Sequence, residues 1–156
     1  MAVSRGKDFE NVIRKAFERV DGVSIDRLND NTAGFKGIAG ICDFIVYKEP
    51  YEYYIECKSV HGNTLPFSNI TDNQWKGMLE KSKIEGVFAG VICWFVEHDV
   101  TRFIPIQELQ NLKDVGFKSV RYDTPNGYMI EIKGKKKRVF FEYSMEEFFN
   151  EVQYIK

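Results

Sequence analysis

The chain is 156 residues long, 44% hydrophobic and 29% charged, with a formal net charge of −1. That is one domain's length with ordinary globular composition, and its bulk charge gives no sign of nucleic-acid binding, so local clusters must be judged instead. Three scattered cysteines (Cys42, Cys57, Cys93), two histidines and no Cys-x-x-Cys pair exclude a disulfide framework and a structural zinc site; each cysteine lies in an apolar run and reads as a small core residue in a reducing compartment.

The N-terminal stretch MAVSRGKDFE has no apolar signal region, and no run approaches a membrane span, so a soluble intracellular protein without membrane contact is expected. Phe9, Val12, Ile13, Ala16, Phe17 and Val20 form one apolar stripe of a helix, with Ser4 as its N-cap and Asp21-Gly22 as its end. Val23–Ile25 predicts a short strand. The glycine-rich stretch from Asp26 to Gly40 has no usable period and predicts a loop or protruding arm. Ile41–Tyr47 and Glu52–Ser59 predict an antiparallel hairpin about a turn at Lys48–Tyr51.

A loop then leads to a helix opened by a capping box of Thr71 and Gln74, with Trp75, Met78 and Leu79 on one face and Gly86 closing it. Val87–Val96 is almost continuously apolar, the pattern of a strand covered on both faces. Thr101–Ile104 predicts another strand and Ile106–Leu112 a short helix. Tyr128–Lys133 and Arg138–Tyr143 predict a hairpin around GKKK, and Ser144 with Glu147 predicts a second capping box, opening a last helix with Phe148, Phe149 and Val152. No repeat or linker interrupts this order, so residues 1–156 form one mixed α/β domain.

The chemistry concentrates in the first hairpin. In YYIECKS, Glu56 and Lys58 point one way from a strand and Cys57 the other. Asp43 is the only acid in ICDFIVY, and pairing about the turn places it opposite Glu56. Two facing carboxylates repel, and a divalent cation removes that cost; an oxygen-only site with few ligands suits Mg²⁺ or Mn²⁺. A lysine beside such an ion assists water and developing phosphate charge. The plainer reading of Glu-x-Lys alone is a solvated strand face.

These residues carry a family resemblance. Arg5-Gly6-Lys7 with Phe9-Glu10, Cys42-Asp43-Phe44, Glu56-Cys57-Lys58, TLPFSNITDNQ and GVFAGVICWF resemble the RecU-like Holliday junction resolvases of the PD-(D/E)XK nuclease superfamily, in the compact form that bacteriophages encode. The segment Thr64 to Gln74 is the most discriminating. The resemblance implies a restriction-endonuclease-like fold, a mixed central sheet flanked by helices, with Asp43 and Glu56 as metal ligands joined by the Cys57 carbonyl. It implies Lys58 as the catalytic lysine, Glu10 as the helix carboxylate that completes the site and Gln74 as a glutamine beside it. Cys42 stands where the superfamily name has proline.

It further implies that residues 26–40 occupy the position of a stalk that enters the junction, with Thr32 matching a hydroxyl near the phosphate. Each residue has a plainer reading. Glu10 has the spacing to pair with Arg14, Gln74 to serve only the capping box, and Thr32 to be a loop hydroxyl. Lys135, Lys136 and Lys137 look like DNA contacts, though lysines at a hairpin tip also guard against edge pairing. With Arg5, Lys7, Arg27 and Lys36 they offset the acidic site, so DNA binding should be phosphate-directed and weakened by salt.

The expected activity is Mg²⁺-dependent hydrolysis of backbone phosphates at a four-way DNA junction, in the cytoplasm of a bacterial host. Two symmetric cuts ask for a homodimer, and recombination proteins are possible partners. The alternatives are another PD-(D/E)XK nuclease of flap or restriction type, or a non-catalytic DNA-binding module of recombination.

Overall fold

The computed structural model describes residues 5–28, 40–125 and 129–155. Ser4 and Tyr128, given roles above as a cap and a strand start, lie outside them. The apolar stripe becomes helix α1 (Arg5–Glu18), whose buried face is Phe9, Ile13, Ala16 and Phe17. Gly22, at φ +75°, supplies the left-handed turn into the first strand.

The main sheet has six strands. In chain order they are β1 (Val23–Arg27), β2 (Phe44–Lys48), β3 (Tyr51–Val60), β5 (Val87–Phe95), β6 (Val100–Pro105) and β8 (Ile130–Glu131), and they are neighbours in that same order. Only β3 and β5 run parallel; the other pairs are antiparallel. A parallel pair needs a crossover. Here it contains the short strand β4 (Thr64–Pro66) and helix α2 (Asp72–Ser82). Every residue of β5 is buried, as its unbroken apolar run predicts.

The sheet separates two cores. On one face α1 and the last helix, α4 (Glu146–Val152), pack with Tyr53, Trp94 and Phe103. On the other, α2 and α3 (Ile106–Asp114) pack with Tyr54, Phe95 and Ile104. All three cysteines are buried and unbridged, in line with their reading as core residues. Among the described residues no helix is long and apolar enough to cross a membrane.

Several boundaries differ from expectation. Asp26 and Arg27 belong to β1 rather than to the loop, because they pair with Ile45 and Phe44 of β2. β2 begins at Phe44, three residues later than predicted. GKKK is not a turn: Gly134–Lys136 forms β9, paired with β10 (Phe141–Tyr143), while β8 joins the edge of the main sheet. Gly134 suits this position because a Cβ there would meet the backbone of Glu142 and Tyr143.

The second capping box is absent. The N-cap of α4 is Met145, with no side-chain cap, and its burial in the core starts the helix one residue beyond Ser144. The three-residue pair of β4 with β7 (Ser119–Arg121) was not predicted, since three residues are too few to show a period.

Candidate active site

The hairpin register is the predicted one, with Phe44 opposite Ile55 and Lys48 opposite Tyr51. Asp43 stands just beyond its end. The Asp43 N–H donates to the Ile55 carbonyl at 3.1 Å, while its own carbonyl accepts from Leu28 N–H at 2.8 Å. In a regular strand both groups of one residue face one neighbour. Here they face different strands, so the chain turns at Asp43. Its carboxylate Oδ2 accepts from Cys57 N–H at 2.8 Å. The expectation that Asp43 pairs with Glu56 inside the ladder is thus corrected: the two acids do meet, at the mouth of the hairpin.

Glu56 is buried, at 3% exposure, because β3 is central and α2 covers that face. Its Oε2 lies 3.0 Å from Lys58 Nζ and accepts from Gln74 Nε2 at 3.0 Å. Its Oε1 is buried with no hydrogen-bond partner. Gln74 stands on the first turn of α2, fixed by the predicted capping box: Thr71 Oγ1 accepts from Gln74 N–H and Gln74 Oε1 from Thr71 N–H. The two readings of Gln74, cap and site residue, are both realised.

Burial, then repulsion from Glu56, raises Asp43 from 3.8 to about 8, against the opposing Cys57 N–H. Burial also raises Glu56, though Lys58 pulls the other way. Both acids are thus pushed toward their neutral forms, so negative charge on this buried pair is costly.

Glu10 and Arg27 line the same cleft, of about 530 Å³, together with Lys7 and Ser59. The plainer reading of Glu10, a pair with Arg14, is not realised: Arg14 pairs with Glu18 at 2.8 Å, and Glu10 Oε2 lies 3.0 Å from Arg27 NH2. Glu10 still adds negative potential to both buried acids. Among the described residues no three His, Cys, Asp or Glu side chains converge as a metal-binding cluster, so a cation here would rest on a carboxylate pair with backbone or water oxygens.

Arg5 lies at the N-terminus of α1 and donates to His61 Nε2 at 3.3 Å. Lys136 and Lys137 pair with Asp99 at 2.8 Å and Glu142 at 3.9 Å, and Lys135 faces Glu142 across β9 and β10. Thr32 and Lys36 lie outside the described residues. The sequence reading missed Ser59 on the cleft wall, and it missed the Arg27–Glu10 pair. The latter is visible only once β1 extends to Arg27 and lies beside α1.

The sequence matches the family of RecU, recombination protein U, over residues 7–145. The chain belongs to the RecU family. With that family comes the Holliday junction resolvase activity that its motifs implied, and the mixed six-stranded sheet flanked by helices agrees with the expected restriction-endonuclease-like fold. No curated protein sequence gives a significant match. Among solved structures, this RecU-family chain is similar to Hjc of Archaeoglobus fulgidus, a Holliday junction resolvase from an archaeal hyperthermophile. The identity is 21%, the TM-score 0.48, and the similarity covers 67% of this chain and 75% of that one.

Proposed function

We propose that this chain cuts four-way DNA junctions by hydrolysing backbone phosphodiesters with a divalent cation held by Asp43 and Glu56. The observation that carries the reading is the buried carboxylate pair: Asp43 is pushed toward neutrality, and Glu56 keeps one oxygen without a partner. Such a donor set fits a hard cation that takes the place of a proton, with the Cys57 carbonyl as third ligand. When bound, Mg²⁺, or Mn²⁺ in its place, supplies Lewis-acid polarisation of the phosphate and a more acidic water.

The chain's own groups do the rest. Gln74 and Lys58 both anchor Glu56 Oε2, so the carboxylate keeps one orientation. Lys58 holds a proton at Nζ and offers it to the charge that grows on the phosphate oxygens. Glu10 completes the acidic wall, held by Arg27. Water adds to phosphorus and gives up a proton to solvent, the bond to the 3′ oxygen breaks and that oxygen takes up a proton from solvent, and the products are a 3′-hydroxyl and a ligatable 5′-phosphate.

Lys7 and Arg27 at the cleft, with Arg5 at the start of α1, are assigned to DNA phosphates, as are Lys36, Thr32 and the lysines Lys135, Lys136 and Lys137 of the β9–β10 hairpin. Two symmetric cuts require a homodimer. The host is a bacterial cytoplasm, the gene a bacteriophage's, and recombination proteins are the further partners.

A labelled four-way junction and a linear duplex of equal length, each with Mg²⁺ or EDTA, test this. Paired nicks confined to the junction, dependent on Mg²⁺ and lost in Asp43→Asn, are expected. Equal cutting of the duplex, or junction binding without cleavage, would overturn it.

A further inference from the structure

The cleft is not the only concavity beside α2. A groove of about 800 Å³ opens on the other side of that helix's first turn, against the connection from α3 to β7. Phe67 and Trp75 form its apolar side, in edge contact at 5.5 Å between ring centroids. The Trp75 N–H is satisfied by Gln110 Oε1 at 2.7 Å, which fixes the ring. Lys113 Nζ lies 4.8 Å from the Trp75 ring centre. Across the groove Phe117 is 56% exposed.

A single exposed phenylalanine is ordinary. The backbone that carries this one is held in place. Its N–H donates to the Leu112 carbonyl at 3.0 Å, and the carbonyl of the next residue, Lys118, accepts from Phe67 N–H at 2.9 Å. The rim thus presents an exposed aromatic ring on a held backbone, with Lys113 and Lys118 beside it. Its one carboxylate, Asp72, sits on the first turn of α2, where the helix dipole favours it.

Fixed rings beside lysines are the elements with which proteins hold unpaired nucleotides, the rings taking base faces and the cations taking phosphates. The groove is also continuous with the site in one respect: the same helical turn sends Gln74 to Glu56 and Trp75 into the groove. We infer that this groove binds unpaired nucleotides of the DNA strand that passes the cleft, stacking a base on Phe117 and setting phosphates against Lys113 and Lys118. This rests on the reading of the cleft as a DNA-cutting site and adds a place for single-stranded DNA that the cleft alone does not supply.

The chain has two tryptophans, and they separate the signals. Both are buried, Trp94 at 1% and Trp75 at 7% exposure, but of the two only Trp75 borders the groove. Intrinsic fluorescence of the full chain, titrated in EDTA with a short oligothymidylate, therefore reports on the groove. Saturable quenching is expected. Phe117→Ala should weaken oligonucleotide binding about tenfold. Lys113→Ala with Lys118→Ala should lower the slope of log affinity against log salt by about 1.4.

All three side chains are at the rim, and circular dichroism checks that each variant folds; the lysine pair serves if Phe117→Ala does not. Junction nicking by the unaltered protein is measured in parallel. Nicking without quenching, or with affinity unchanged in both variants, overturns the groove alone, and absence of nicking overturns the cleft reading instead. A dimer seen in sedimentation that falls to monomer in Phe117→Ala would make the groove a contact with a second copy and overturn the inference.

Discussion

Gln74 Nε2 donates to Glu56 Oε2 at 3.0 Å, while Oε1 of the same amide accepts from Thr71 N–H at 3.1 Å. One side chain closes the N-terminus of a helix and orients a buried carboxylate. Gln74 thereby links Glu56 in the cleft to the first turn of α2.

The two jobs separate by substitution. Thr71→Ala removes only the cap and should cost about 1 kcal/mol with little change in single-turnover nicking. Gln74→Ala should cost a similar amount and also slow nicking at least tenfold. Gln74→Glu keeps an N3 acceptor for the cap but sets a third carboxylate against Glu56 and Asp43, so stability returns only in part and activity does not. Thermal unfolding with single-turnover rates on a junction checks all three. Normal nicking in Gln74→Ala would leave Gln74 a cap and nothing more.

Asp43 predicts a pH dependence with a definite sign. Its ordinary value is 3.8 and its folded value about 8, through burial first and Glu56 second. Between those limits the folded chain holds a proton that the unfolded chain has released, so this group's contribution to stability falls as pH rises. Asp43→Asn removes the fall. In EDTA at pH 8 the variant should melt several degrees above the unaltered protein, and the gap should close toward pH 4. Millimolar Mg²⁺ should narrow it at pH 8 by stabilising only the protein with both acids. A gap independent of pH would show that Asp43 is ionised throughout.

The hairpin and its acids were legible because a two-residue alternation and a tight turn fix which residues face each other, as Phe44 and Ile55 do. Thr71 with Gln74 was legible for the same kind of reason, a local spacing with a local bond. What escaped was set by distant packing. Arg27 meets Glu10 across 17 positions, and no local pattern ties a strand end to a helix flank. Ser144 and Glu147 have capping-box spacing, but burial of Met145 overrides it. GKKK has the composition of a turn, yet Gly134 is a strand residue because the backbone of the neighbouring strand leaves no room for a Cβ.

Gly90 makes a stability prediction independent of the chemistry. It sits in β5 opposite Pro105, where a Cβ would fall against the Ile104 carbonyl and the Phe103 ring. Both belong to the buried sheet and neither yields without opening the ladder to β6. Gly90→Ala should cost about 3 kcal/mol, read as a lower urea midpoint with the slope unchanged. A loss under about 0.5 kcal/mol would mean that β6 shifts freely.

Arg27 should show effects of opposite sign on two ligands. Its guanidinium lies 3.0 Å from Glu10 at the edge of the cleft and partly offsets the acids there. The pair is open to solvent, so Arg27→Ala should change stability by less than about 1 kcal/mol. Removing the cation leaves the cleft more negative, and Mn²⁺ affinity, read from thermal shift, should rise several-fold. Removing a phosphate contact should weaken junction binding and lower its salt slope by about 0.9. A rise for the metal with a fall for DNA identifies Arg27 as a charge shared between the two. Were both to weaken, Arg27 would instead be holding Glu10 in the position from which it serves the site.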